Sequence, residues 1–160
     1  MNPEIFLIFE GELMSLQTMA NLAQTVGNYL HPCDVILLQG DLGAGKTTFA
    51  QFLIQHLMVT AVDVPSPTFP LICPYETKKG ELWHVDLYRL QPQEVLTLGL
   101  EEQWRQGITL IEWPERLPFM PPDPLWVRLM ANDITGTRVL SLKGSSSWKN
   151  RLCAVLNAMI

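Results

Sequence analysis

Val35-Ile36-Leu37-Leu38-Gln39-Gly40-Asp41-Leu42-Gly43-Ala44-Gly45-Lys46-Thr47-Thr48-Phe49 is the stretch on which the fold turns. An apolar run suited to a buried strand leads into a glycine-rich loop. The helical spacing of Phe49, Phe52, Leu53 and Leu57 follows at once. Gly40 to Thr47 satisfies the G-x-x-x-x-G-K-[ST] pattern, and each fixed position has a physical reason. Gly40, Gly43 and Gly45 allow positive φ and close approach of backbone to a ligand. Successive N–H groups, together with the positive end of the helix opened by Lys46, make a cradle for phosphates. Lys46 adds a point charge for the β- and γ-phosphates, and the Thr47 hydroxyl is a hard oxygen suited to Mg²⁺. The stretch Gly40, Asp41, Leu42, Gly43, Ala44, Gly45, Lys46, Thr47, Thr48 is therefore expected to bind a nucleoside triphosphate.

Working outward, Ile5–Phe9 reads as a first strand, and Leu16 to Leu30 keeps helical spacing behind Ser15. Prolines at 65, 67 and 70 interrupt regular structure after the loop's helix. Leu71–Glu76 and Glu81–Tyr88 then flank a Lys78-Lys79-Gly80 turn as a hairpin. Pro92 starts a helix expected to run to about Trp104. Ile108–Ile111 is a buried strand, Leu125–Met130 and Thr137–Lys143 form a second hairpin, and Ser145 to Ser147 offer N-caps for a last helix. Strands alternating with helices around such a loop predict an α/β fold. It would be a single P-loop NTPase domain over residues 1–160, with a mainly parallel central sheet, antiparallel additions and helices on both faces.

Composition agrees. The 160 residues are 48% hydrophobic and 17% charged, which suits a packed core rather than disorder. No apolar run reaches the ~20 residues of a membrane helix. No base precedes Lys46, so a signal peptide is not expected, and three scattered cysteines match no zinc or redox spacing. A reducing cytoplasm is the expected location. The net charge of −5 is uneven: residues 1–45 carry five acids and no base, whereas 124–160 hold five of the bases against Asp133. That asymmetry shows no basic run with interleaved aromatics, so direct contact with RNA is left open.

Two carboxylates end apolar strands and are candidates for the metal and for the attacking water: Asp86 after Leu82–Val85, and Glu112 after Ile108–Ile111. Ser66-Pro67-Thr68-Phe69 reads either as the hydroxyl-bearing loop with which a P-loop switch senses phosphate or as a rigid proline turn that exposes two hydroxyls. His84, on a strand beside Trp83, reads as a structural histidine before a base.

Ser66-Pro67-Thr68-Phe69, His84-Val85-Asp86-Leu87-Tyr88-Arg89-Leu90 and Ile111-Glu112-Trp113-Pro114-Glu115-Arg116 follow the loop in that order. With it they resemble the TsaE family, small bacterial ATPases of tRNA threonylcarbamoyladenosine synthesis. The resemblance implies ATP and Mg²⁺ as cofactors, with Thr47 and Glu112 on the metal and Asp86, with Lys46, in hydrolysis. It further implies switch segments around Ser66, Thr68, His84 and Arg89. TsaB and TsaD are the implied partners, transferring a threonylcarbamoyl group to the adenosine 3′ of the anticodon while ATP hydrolysis resets the complex. Where the family often has an arginine directly after the glycine of the last hairpin, Thr137 follows Gly136 and the arginine is Arg138. The competing expectation is a small P-loop metabolite kinase, which would need an arginine-bearing lid. No compact multi-arginine stretch supplies one.

Overall fold

The computed structural model describes residues 2–159. Its centre is β2 (Val35–Gln39), whose first four residues are all buried. An apolar strand with both faces covered belongs inside a parallel sheet. It pairs in parallel with β5 (Ile108–Glu112) on one side and β6 (Leu125–Ala131) on the other. β4 (Gly80–Asp86) extends the parallel set beyond β5. Antiparallel strands complete the edges: β3 (Ile72–Thr77) on β4, and β7 (Arg138–Gly144) and then β1 (Phe6–Leu13) beyond β6. The seven-stranded order is β1-β7-β6-β2-β5-β4-β3. Parallel centre, antiparallel additions and helices on both faces agree with the expectation from sequence.

Strand alternation sorts the core into two layers. Ile36, Leu38, Leu82, Leu110 and Val127 face one side, where α1 (Leu16–Asn28), α2 (Lys46–Leu57) and α5 (Ser146–Asn157) bring Ala23, Phe49, Leu53 and Trp148 onto them. Val35, Leu37, Val85 and Ile111 face the other, under Val95, Leu100, Trp104 and Leu117. α1 is fixed at both ends. The Ser15 hydroxyl accepts from Thr18 N at its start, and Lys79 Nζ donates to the Asn28 and Leu30 carbonyls at its finish, at 2.5 and 2.8 Å. Lys79 thus binds the β3–β4 turn to the C-terminus of α1, and its burial there pushes its pKa down.

Three expectations need correction. The helix expected from Pro92 to Trp104 is broken: α3 covers Pro92–Val95, a tight 3₁₀ turn covers Leu96–Leu98, and α4 starts at Leu100 and ends at Gln106. Gly99 sits between them at φ 68°, a left-handed conformation that ends the first helical segment and starts the next. Ser145 is the N-cap residue of α5, but its hydroxyl makes no capping bond. Trp148 packs its indole across that helix start instead, and Nε1–H donates to the Asp123 carbonyl at 2.8 Å. Strand β1 runs four residues further than Phe9 because it pairs with β7 as far as Leu13, across a bulge between Leu7 and Phe9.

Candidate functional site

The loop after β2 takes the backbone that its glycines permit. Gly40, Gly43 and Gly45 have φ of 154°, 78° and 110°. At Gly40 a Cβ would lie 2.4 Å from the Leu129 carbonyl oxygen, so the loop packs against β6 only because a hydrogen stands there. Gly45 is the left-handed N-cap of α2 and supplies no side chain to cap it. First-turn amides of a helix have no intrahelical acceptor, so the head of α2 keeps donors free for an anion.

Lys46 is 4% exposed and folds back over the loop. Its Nζ donates to the carbonyls of Gly40 at 2.6 Å and Asp41 at 2.8 Å. It also lies 4.1 Å from the ring centroid of Trp113. Burial lowers its pKa from 10.5, while Glu112, Glu115, Asp86 and Asp41 pull it back up. Trp113 itself holds φ at 61°, unusual for a bulky residue, and its ring rests against Tyr88 with centroids 4.8 Å apart.

The two strand-end carboxylates stand side by side, because β4 and β5 pair in register with Asp86 opposite Glu112. They do different things. Glu112 Oε1 accepts from the Thr47 hydroxyl at 2.7 Å, and Oε2 accepts from His84 Nε2, also at 2.7 Å. Asp86 instead accepts from the Thr68 hydroxyl at 3.0 Å and from Tyr88 N at 2.9 Å. Thr68 in turn shares a hydrogen bond with the Ser66 hydroxyl, and Arg89 lies 4.7 Å over the exposed Phe69 ring. The 66–69 loop and the 84–89 segment are therefore tied together at two points.

A single cleft of about 360 Å³ gathers most of the residues singled out from sequence. Leu42, Gly43, Gly45, Lys46, Thr47, Thr48, Thr68, Asp86, Arg89 and Glu112 all line it. Ser66 stands behind Thr68, and His84 is wholly buried beneath the cleft. Trp113 and Tyr88 also line it without having been assigned a role there. The signal for Trp113 was its place between the strand-end acid and Pro114, where the chain must turn. A neighbouring cleft of about 300 Å³ shares Gly43, Gly45 and Thr48 and is walled by Ser15, Met19 and Arg138. Arg138 reaches the Gly43 carbonyl through Nη2 at 3.4 Å. Glu12 accepts from the hydroxyls of Thr135 and Thr137, which holds its pKa below 4.5.

Among the described residues no group of three or more His, Cys, Asp or Glu is placed to hold a metal by itself. Thr47 and Glu112 nevertheless set two hard oxygens 2.7 Å apart at the head of α2. Such a pair fits Mg²⁺, which takes one or two protein oxygens and leaves its other positions to water and phosphate.

Fold and cleft together define an α/β protein organised around a glycine-rich strand–loop–helix cradle with a hydroxyl and two carboxylates at its mouth. Within that class, the chain belongs to the TsaE family: the model described as threonylcarbamoyl adenosine biosynthesis protein TsaE matches residues 13–140. A Nostoc protein is 45% identical over 126 residues, covering 76% of this chain and 77% of its own. A Rickettsia prowazekii protein is 40% identical over 114 residues, covering 71% and 79%. Both are named tRNA threonylcarbamoyladenosine biosynthesis protein TsaE. The crystal structure of Bacillus subtilis YdiB superposes with a TM-score of 0.72 at 25% identity, over 99% of this chain and 98% of that one. Among the described residues no helix is long and apolar enough to cross a membrane.

Proposed function

We propose that this chain is the accessory ATPase of threonylcarbamoyl modification of the adenosine 3′ to the anticodon in tRNA. It binds ATP with Mg²⁺ in the cleft over Gly40–Thr48, hydrolyses it slowly, and works beside TsaB and TsaD, which carry out the transfer. Residues 1–160 act as one P-loop ATPase unit. The observation that supports this best is the Thr47–Glu112 oxygen pair at the head of a free helix N-terminus, with Asp86 in register beside it.

Each residue has a task that follows from its surroundings. The loop amides and the head of α2 hold the phosphates, and Lys46 exchanges its carbonyl partners for phosphate oxygens. Thr47 and Glu112 hold Mg²⁺, which neutralises charge on the phosphate oxygens when bound. The neighbouring cleft at Ser15, Met19 and Arg138 continues from the loop and takes the nucleoside end. Asp86 orients and polarises the attacking water once the Thr68 hydroxyl gives up its Oδ2 atom. Thr68 and Arg89 then report phosphate occupancy to the exposed 66–69 loop.

The test pairs two measurements on the wild type and Asp86→Asn: affinity for ATP and steady-state phosphate release, with and without TsaB and TsaD. Asp86→Asn is expected to bind ATP within a few fold of wild type and to lose about 10²–10⁴-fold in hydrolysis. With TsaB, TsaD and tRNA it should support early product and then stall. A wild-type hydrolysis rate would exclude Asp86 from catalysis, and a wild type that binds no ATP would end the proposal.

A further inference from the structure

His84 has no access to solvent and does not line the cleft, yet it touches the carboxylate that faces Thr47. Alternation explains how it gets there. Leu82, His84 and Asp86 share one face of β4, and Ile108, Leu110 and Glu112 share the same face of β5. His84 pairs with Leu110, one step diagonal to Glu112, which brings its ring beneath that side chain. A carboxylate can only accept, so the 2.7 Å contact to Oε2 requires the proton on Nε2. Nδ1, among the described residues, has no partner. A buried ring with one nitrogen unsatisfied gives up stability for the bond its other nitrogen makes.

Glu112 is just as confined at 2% exposure, and its two oxygens have separate employment. Oε2 is held from below by His84, and Oε1 is presented upward to Thr47. We infer that His84 is a positioning residue: its Nε2–H fixes the rotation of the Glu112 carboxylate so that Oε1 is the oxygen offered to a divalent cation. The inference rests on the proposed Mg²⁺–ATP site and adds to it the group that orients its carboxylate. In metal sites such outer partners hold the ligand's orientation, and their loss costs about 10–100-fold in metal affinity. His84 accordingly stays fixed to β4 while Thr68 and Arg89, higher in the cleft, change partners.

Calorimetric binding of a non-hydrolysable ATP analogue tests this with wild type, His84→Leu and His84→Gln, in EDTA and across Mg²⁺ concentrations. His84→Leu should need about 10–100-fold more Mg²⁺ for half its effect while its affinity in EDTA stays close to wild type. His84→Gln, whose amide reaches about as far as Nε2 and keeps a donor, should recover most of the loss. Unchanged Mg²⁺ dependence in His84→Leu overturns the inference and leaves the proposed site standing. A wild type that binds the analogue with no Mg²⁺ effect overturns both. Wild-type protein with ¹⁵N-labelled histidine gives an answer that needs no variant. Nε2 should carry a proton, and its resonance should move when Mg²⁺ joins the bound analogue. An Nδ1–H tautomer, or no movement, overturns the inference.

Discussion

The hydroxyl of Thr68 donates to Asp86 Oδ2 at 3.0 Å and so ties an exposed loop to a carboxylate that is 4% exposed. The link is reinforced along the backbone, where Asp86 N donates to the Leu71 carbonyl and Leu71 N to that of Pro67. One residue at the end of β4 therefore anchors the whole 67–71 turn.

Thr68→Val keeps the shape of the side chain and removes the donor. A hydrogen bond to an ionised group contributes about 1.5–3 kcal/mol, and the loss falls mainly on the loop. Amide exchange from 67 to 72 should accelerate, with global unfolding shifted less. Unchanged exchange in that turn would show that the backbone bonds alone hold it.

Two glycines of the same loop should respond differently to alanine. Gly40→Ala meets the Leu129 carbonyl at 2.4 Å, while Gly43→Ala has nothing within 4 Å. Both suffer positive φ at about 1–2 kcal/mol, but only the first adds a backbone clash of about 1–3 kcal/mol. Urea unfolding should rank Gly40→Ala clearly below Gly43→Ala. Equal midpoints would mean the loop does not sit against β6 in solution.

Trp113 lies over the Lys46 ammonium, the charge that must turn toward phosphate if the cleft binds nucleotide. The other four tryptophans lie outside the linings of both clefts at the loop. Nucleotide should change the intrinsic fluorescence, and Trp113→Phe should abolish most of that change. Binding should persist within about five-fold, since phenylalanine keeps an aromatic face over the buried ammonium and so retains most of a cation–π contact that contributes about 2 kcal/mol when desolvated. A full signal from Trp113→Phe would place the reporter elsewhere.

Glu12 fastens β1 to the turn of the β6–β7 hairpin through Thr135 and Thr137, and those donors lower its pKa. A carboxylate depressed by folding contributes fully above its ordinary value of 4.5 and loses the contribution as pH falls through the lower folded value. Amide protection at 132–138 should therefore decline in acid below pH 4.5 ahead of global unfolding, and Glu12→Gln should flatten that dependence. A hairpin whose protection ignores pH would remove Glu12 from its support.

The strand–loop–helix at residues 35–57 was legible because the motif's glycines, lysine and hydroxyl each answer a local backbone requirement. Asp86 and Glu112 were legible as strand-end acids, but the residues alone left open which does what; the family resemblance, not the spacing, put Glu112 with Thr47. The order β2-β5-β4 puts the strand of Glu112 beside the loop's own strand, where Glu112 meets Thr47, and that order depends on pairing between distant segments. The parity of Leu82, His84 and Asp86 against Ile108, Leu110 and Glu112 could have put His84 beside Glu112 had the pairing been assumed. The second cleft was out of reach for the same reason, since its walls come from residues 13–19, 43–48 and 136–138. The break at Gly99 was missed because apolar spacing continued through it, and apolar spacing does not record φ.

The outermost strands also bear on how the protein behaves when concentrated. β3 carries Pro74 in its middle, a residue with no N–H to offer a newcomer, and β1 is bulged between Leu7 and Phe9. A free sheet edge is a template for pairing with another chain, and both of these templates are defective. The sheet has room for an eighth strand at either end but no clean ladder to receive one. Self-association by edge-to-edge growth, the usual route from an open sheet to fibrils, is therefore hindered at both margins, by a proline at one and a bulge at the other.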